Sequence, residues 1–241
     1  MNETKEEKNI EIIEKMFKAG AHFGYSKSRR HPSTLPYIFG IKNRVEIFDL
    51  EKTKKLLEKT KDFVKVLGKN KQQILFVGGK AEAKEAIRNI GRDIGMPFVA
   101  GRWIGGILTN FAEIKNRINK LAELTTQKEK GELSKYTKKE RLLIDKQIEK
   151  LDKFFSGLSK LKDLPKAVFV IDSKKEKIAV AEAKKMGIPV IALANSDCDI
   201  SFIDYPVVAN DSSILSIKLF LNEISLAYKE GEKEGVKIEQ K

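Results

Sequence analysis

One cysteine and two histidines are all that this 241-residue sequence offers to redox chemistry, metal ligation or a histidine-based catalytic triad. Cys198 has no partner for an internal disulfide, and with His22 and His31 it cannot assemble a zinc-finger pattern. No run approaches about eighteen consecutive apolar residues, so no membrane-crossing helix is expected. The charged start MNETKEEKN lacks the apolar stretch and small-residue cleavage site of a secretory leader. The expectation is a cytoplasmic protein with no membrane partner.

The signatures of nucleotide enzymes are missing too. No Gly-x-Gly-x-x-Gly follows a strand-like run. Val77-Gly78-Gly79-Lys80 resembles a phosphate loop between strand and helix, but the earlier glycine is absent and Ala81 stands where a Ser or Thr is required. A helix start beside Lys80 still suits an anion, so a phosphate- or nucleotide-binding α/β enzyme using residues 78–80 stands as the alternative reading. No serine or cysteine sits in a nucleophile elbow, and no carboxylates are distinctively paired for acid–base work. Asp172, Asp197, Asp199 and Asp204 fall near the ends of strand-like runs, where with His22 they could chelate a hard cation. Turn and cap roles explain these aspartates more simply, so no catalytic residue, metal or cofactor is expected.

What the chain does have is positive charge. Lysine and arginine total 47 against 34 acids, a formal net charge of +13 with a pI near 9.5, which favours a polyanion such as nucleic acid. The sign is unevenly spread. From Lys15 to Val45 there is no aspartate or glutamate, while Lys15, Lys18, Lys27, Arg29, Arg30, Lys42 and Arg44 all fall there. Within Tyr25-Ser26-Lys27-Ser28-Arg29-Arg30-His31-Pro32, guanidinium forks and hydroxyls suit phosphate, and Pro32 and Pro36 predict an extended, non-helical segment. Phe23, Tyr25 and Tyr37 lie among these cations where they could stack on bases, although Phe23 is expected in the core.

Strand-then-helix units recur along the chain. The apolar run Gln73–Val77 gives way to a helix rich in alanine and charge. Met96–Ala100 is a second strand, Lys166–Ile171 a third followed by a helix over 174–186, and Ile188–Leu193 a fourth. Short β-branched runs alternating with amphipathic helices predict an α/β fold, a parallel sheet with helices on both faces. A last helix is expected from about Asp211 or Ser212 to Tyr228, followed by a disordered charged tail over 229–241.

Between the second and third strands the rhythm changes. Phe111, Ile114, Ile118 and Leu121 recur at spacings of three and four, as do Ile144, Ile148, Leu151, Phe155 and Leu158, with Lys and Glu between. Residues 128–139, with Gly131 and no apolar stripe, would turn the chain. The expectation is an inserted antiparallel coiled-coil hairpin over 111–161, set into an α/β domain made of 1–110 and 162–228 with its N-terminal helix and basic loop.

The segment Gly101-Arg102-Trp103-Ile104-Gly105-Gly106-Ile107-Leu108-Thr109-Asn110 joins a strand to the first hairpin arm and holds the sole tryptophan. Asn110 and Glu113 suggest a capping box. The glycines permit a sharp turn and close approach, either by the sheet or by a phosphate backbone. Adjacent side chains in an extended loop point to opposite sides, so Trp103 is expected to anchor the loop inward and Arg102 to face a polyanion.

Several of these stretches together resemble a known family. Lys18-Ala-Gly-Ala-His-Phe-Gly24, Pro36-Tyr-Ile-Phe-Gly40, Leu75-Phe-Val-Gly78, the segment Gly101–Phe111, and Pro165–Asp172 through Gly187–Ala192 occur in the order seen in the second protein of the bacterial small ribosomal subunit. The likeness spans roughly residues 12–228. It implies a Rossmann/flavodoxin-like sheet with a coiled-coil insertion, bound to small-subunit ribosomal RNA near the junction of head and body. It further implies contact with neighbouring small-subunit proteins, including help in docking the large messenger-binding first protein. By position, the implied RNA contacts are Lys27, Arg29, Arg30, His31, Lys42, Arg44 and Arg102, with Lys115 and Arg117 at the hairpin base. Where the family commonly reads His-Phe-Gly-His, this chain has Tyr25, and the loop Asp197–Asp204 lacks the usual proline and glycine, which agrees with the expectation of no metal.

Overall fold

A computed structural model describes residues 3–239. Helix α1 (Glu3–Lys18) leads into β1 (Phe23–Ser26), β2 (Ile38–Lys42) and β3 (Val45–Phe48), which form a small antiparallel sheet in the order β1-β3-β2. The sequence pattern had marked no strand here. Each is four or five residues long and half-exposed, and so lacks the apolar run by which a buried strand is recognised. The stretch read as extended instead forms two short 3-10 turns, Lys27–Arg29 and Pro32–Tyr37. Pro32 is tolerated because it opens the second of these, where its nitrogen has no helical acceptor to lose.

Asp49 then caps α2 (Leu50–Lys69), its Oδ1 accepting the N–H groups of Glu51 and Lys52. The main sheet follows: β4 (Ile74–Val77), α3 (Ala81–Asp93), β5 (Phe98–Val99), α4 (Phe111–Glu129), α5 (Lys138–Phe155), β6 (Ala167–Ile171), α6 (Lys177–Lys185), β7 (Val190–Ala194), β8 (Tyr205–Val208) and α7 (Ile214–Glu239). All pairings are parallel, in the order β5-β4-β6-β7-β8. Counted from β4, that is the 2-1-3-4-5 order of flavodoxin-like sheets, whose switch point lies between β4 and β6. Ile74, Phe76, Phe169 and Ile191 face one layer with α2, α3 and α7. Leu75, Val168, Val170 and Val190 face the other, with α6 and the Trp103 loop. Burial on both faces is what makes these strands unbroken apolar runs.

In α4 and α5, Ile114, Leu121 and Phe155 are buried in the second layer, Ile118, Ile148 and Leu151 pack beside them, and Lys128 pairs with Asp145 at 2.7 Å. Asn110 makes no side-chain cap; the capping box belongs to Thr137 and Glu140 at the start of α5, while Glu113 pairs with Arg117 instead.

The disordered tail expected over 229–241 is corrected by α7, which stays helical through Glu239; residues 240–241 lie outside the described ones. The physical reason is a glycine seam. A Cβ on Gly231 would collide with the Lys65 carbonyl, one on Gly235 with that of Lys69, and one on Gly68 with that of Tyr228. Bare glycines thus let α7 lie directly on α2, where Glu234 bridges Lys65 and Lys69, and those ammonium groups hold its carboxyl down at about 2.

Candidate nucleic-acid interface

The basic segment is fastened to the carboxyl end of β7. The His31 N–H donates to the Ser196 carbonyl at 2.8 Å, as does the Thr34 hydroxyl at 2.9 Å, and the Tyr25 N–H donates to Ser196 Oγ at 2.9 Å. Free of acids in sequence, the segment acquires them in space. Arg29 lies over the Tyr25 ring, 4.0 Å from its centroid, and reaches Asp197 at 3.4 Å. Arg30 Nη1 donates to Glu46 Oε1 at 3.0 Å, and Glu46 is fully buried. His31 is bonded to Ser33 Oγ at 2.8 Å and stands 3.7 Å from Asp199, whose carboxyl is held low by the Ser201 N–H. Arg30 is therefore a structural counter-ion, and Arg29 is half committed.

Lys27, Lys42 and Arg44 are exposed and without an ion pair among the described residues. The last two frame the β2–β3 turn, where Asn43 and Arg44 adopt φ of 50° and 66°. Positive φ at both central residues gives the tight hairpin turn that suits strand twist and holds Lys42 and Arg44 out from the sheet. Phe23 is exposed rather than in the core, its ring 4.0 Å from His22, which also stacks on Phe17 at 4.4 Å. Burial, with Lys42 nearby, lowers the His22 pKa.

At the switch point the customary ligand space is filled. Lys80, offered above as an anion-binding group, turns inward to sit 2.7 Å from Asp211 and 2.8 Å from Asp172. Burial alone would discharge it, but the two carboxylates outweigh that and hold the ammonium firmly charged. Asp172 ends β6 in a left-handed conformation, φ 66°, and accepts the Lys175 N–H at 2.9 Å. The Gly79 N–H, where a phosphate would bind, donates to Glu176 at 3.0 Å. Lysine and glutamate thus occupy both halves of the loop, which removes the 78–80 enzyme reading.

Cys198 lies within 4.8 Å of the Asp172 and Asp211 ligand atoms, but Lys80 already supplies the cation there. Burial and the Asp172 charge push the thiol up to about 12, so it is not a ready thiolate. The other aspartates are likewise engaged, Asp197 by Lys174 at 3.0 Å and Asp204 by Lys184 at 2.7 Å. His22 opens onto a separate hollow with Phe17 and Phe39.

The tryptophan loop is organised by a residue that the sequence gives no reason to single out. Glu182 of α6, buried beneath it, accepts the Trp103 indole N–H at 3.1 Å and the backbone N–H groups of Gly106, Leu108 and Thr109 at 2.8, 3.1 and 3.3 Å. Burial would raise its carboxyl, but these donors outweigh it and hold the pKa below the ordinary value. Trp103 is buried and Arg102 exposed, the alternation expected for the loop. Gly106 has φ 96°, a conformation for which glycine is required. Lys115 donates to the Lys162 carbonyl at 3.3 Å, and Arg117 is held by Glu113 at 3.2 Å.

Comparison with known proteins agrees with this arrangement. The model of the family described as ribosomal protein S2 matches residues 16–231. The small ribosomal subunit protein uS2 of Coprothermobacter proteolyticus is 42% identical over 222 residues, covering 92% of this chain and 83% of its own. That of Bdellovibrio bacteriovorus is 42% identical over 222 residues (92% and 71%), and that of Helicobacter hepaticus 40% over 220 (91% and 83%). These relatives are ribosomal proteins, not enzymes. With a plugged switch point, a basic exterior and a match over most of its length, the chain belongs to the ribosomal protein S2 family.

Proposed function

We propose that the chain is a structural constituent of the small ribosomal subunit that binds small-subunit ribosomal RNA in the cytoplasm. In this reading it packs among neighbouring small-subunit proteins and helps to dock the messenger-binding first protein. Helices α4 and α5 act as an inserted antiparallel coiled-coil hairpin over 111–161, with Lys115 and Arg117 at its base. The observation that carries the reading beyond family membership is the β2–β3 turn, which holds Lys42 and Arg44 exposed and in no ion pair among the described residues. Unpaired cations on a fixed turn suit phosphate contact, which positions a protein on RNA without selecting sequence. Lys27 and Arg102 are exposed in the same way; Arg29, Arg30 and His31 are held by the protein's own acids and contribute less.

The test is sedimentation of a lysate containing a tagged chain, together with binding of purified protein to small-subunit ribosomal RNA. Migration with the small subunit is expected, along with weaker RNA binding by Lys42→Gln/Arg44→Gln. A chain that stays at the top of the gradient would end the ribosomal assignment, and full binding by the double variant would end the role given to the turn.

A further inference from the structure

Two hollows of about 340 and 400 Å³ lie beside the start of the tryptophan loop, and Lys84 and Arg102 line both. Lys175 borders the first, Arg88 and Lys153 the second. We propose that they form one groove that seats consecutive phosphates of an RNA backbone. The proposal rests on the RNA-binding reading above and gives it a site.

The cations come from separate parts of the fold. Lys84 and Arg88 are on α3, Arg102 on the loop after β5, Lys153 near the end of α5, and Lys175 in the turn after β6. All five are exposed, and none is in an ion pair among the described residues. At i and i+4, Lys84 and Arg88 stand side by side about 5–6 Å apart. The one acid in the lining, Glu176, is buried and turned onto the Gly79 N–H at 3.0 Å.

Gly101 adds an independent observation. It lines the second hollow, and a Cβ placed on it would meet nothing within 4 Å. Internal packing does not ask for glycine there, whereas a backbone phosphate approaching the groove would.

The larger cleft of about 590 Å³ beside Arg29 is the natural competitor, and its charges decide against it. There Arg29 and Lys174 face Asp197, His31 faces Asp199 and Lys184 is paired with Asp204 beyond the lining, which leaves Lys177 as the lining cation without an ion pair among the described residues. A polyanion entering that cleft meets carboxylates; one entering the groove around Arg102 meets cations whose charge is not already answered.

The test measures binding of the full chain to small-subunit ribosomal RNA over a range of salt. The variants are Lys84→Gln/Arg88→Gln/Lys153→Gln, which touches only exposed side chains, and Gly101→Leu, which fills the groove without altering charge. With melting curves like the wild type, the triple variant should lose about 2–3 from the slope of log affinity against log salt, because each phosphate contact releases counterions. Its affinity at moderate salt should fall at least about tenfold. Gly101→Leu should weaken binding while keeping the slope. Wild-type affinity and slope in both variants would overturn the groove. So would a triple variant that binds RNA normally but loses a neighbouring protein from reconstituted subunits, since the occupant would then be protein. A wild-type chain with no salt-dependent affinity for the RNA would instead strike at the RNA-binding reading itself.

Discussion

The indole Nε1 of Trp103 donates to Oε1 of Glu182 at 3.1 Å, joining residues 79 positions apart with both side chains almost fully buried. The same carboxylate holds three backbone N–H groups of the glycine-rich loop, so one side chain determines the shape of the strand-to-helix connection. Trp103→Ala is expected to cost about 3–5 kcal/mol, as for other large buried aromatics. Arg102→Ala should leave stability nearly unchanged and weaken RNA binding. Denaturant melts and RNA binding of both variants check this, and equal melting of Trp103→Ala and wild type would show that the ring does not anchor the loop.

Glu182→Gln should cost about 2–3 kcal/mol at neutral pH, since donors aimed at a charged acceptor lose much of their partner. The pH dependence has a definite sign. The folded pKa is depressed, so this stability is fully present above the unfolded glutamate value, about 4.3, and is lost as pH falls through the folded value. The gap between wild type and Glu182→Gln should be wide at pH 7 and narrow only as pH falls below the ordinary glutamate range in parallel urea melts. A gap that does not change with pH would mean the carboxylate charge is not what holds the loop.

Two neighbouring arginines should fail differently. Arg30→Gln strands the fully buried Glu46 and is expected to destabilise by about 3 kcal/mol, whereas Arg29→Gln removes a half-exposed guanidinium from the buried Asp197, which keeps Lys174 at 3.0 Å, and should cost less than about 1 kcal/mol. Thermal melting of each single variant separates them. Equal, small losses would show that Glu46 finds another partner.

Gly231→Ala sets two effects against each other. Helix propensity alone favours alanine by about 1 kcal/mol. Contact of the new Cβ with the Lys65 carbonyl forces α7 off α2 and should outweigh this, for a net loss of about 1–3 kcal/mol. A variant that melts higher than wild type would mean the two helices are not held in contact there.

If α4 and α5 form the proposed hairpin, replacing 128–138 with a short turn should leave the sheet melting in one cooperative transition. The tip buries little beyond Leu133, which belongs to neither main layer. Loss of cooperativity on circular dichroism would count against an independent insertion.

Four strands of the sheet were legible because they are buried on both faces and its helices are not, so the two periods separate cleanly along 73–193; the edge strand β8 (Tyr205–Val208), only part-buried at Tyr205 and Pro206, was not. The inward Trp103 and outward Arg102 were legible for the same local reason. Pairings between distant segments were not. Glu182 sits among lysines and alanines like any solvated helix residue, and nothing beside it announces a loop 73 to 79 positions away. An acid-free stretch likewise says nothing of Glu46 or Asp197, which the fold brings back to Arg30 and Arg29. Lys80 was misread for a related reason: a lysine after two glycines at a helix start has the same local sequence whether it faces solvent or two buried aspartates.

The glycine seam between α2 and α7 also orders events in time. Helix α7 begins about 160 residues after α2, so during synthesis at roughly 5–20 residues per second the apolar side of α2 waits on the order of ten seconds or more for its cover. In that interval a nascent chain carries an unsheathed helix next to a growing sheet, a surface open to chaperones and to other nascent chains. The chain that would join a ribosome thus depends on its last helix leaving another ribosome before its first layer can close.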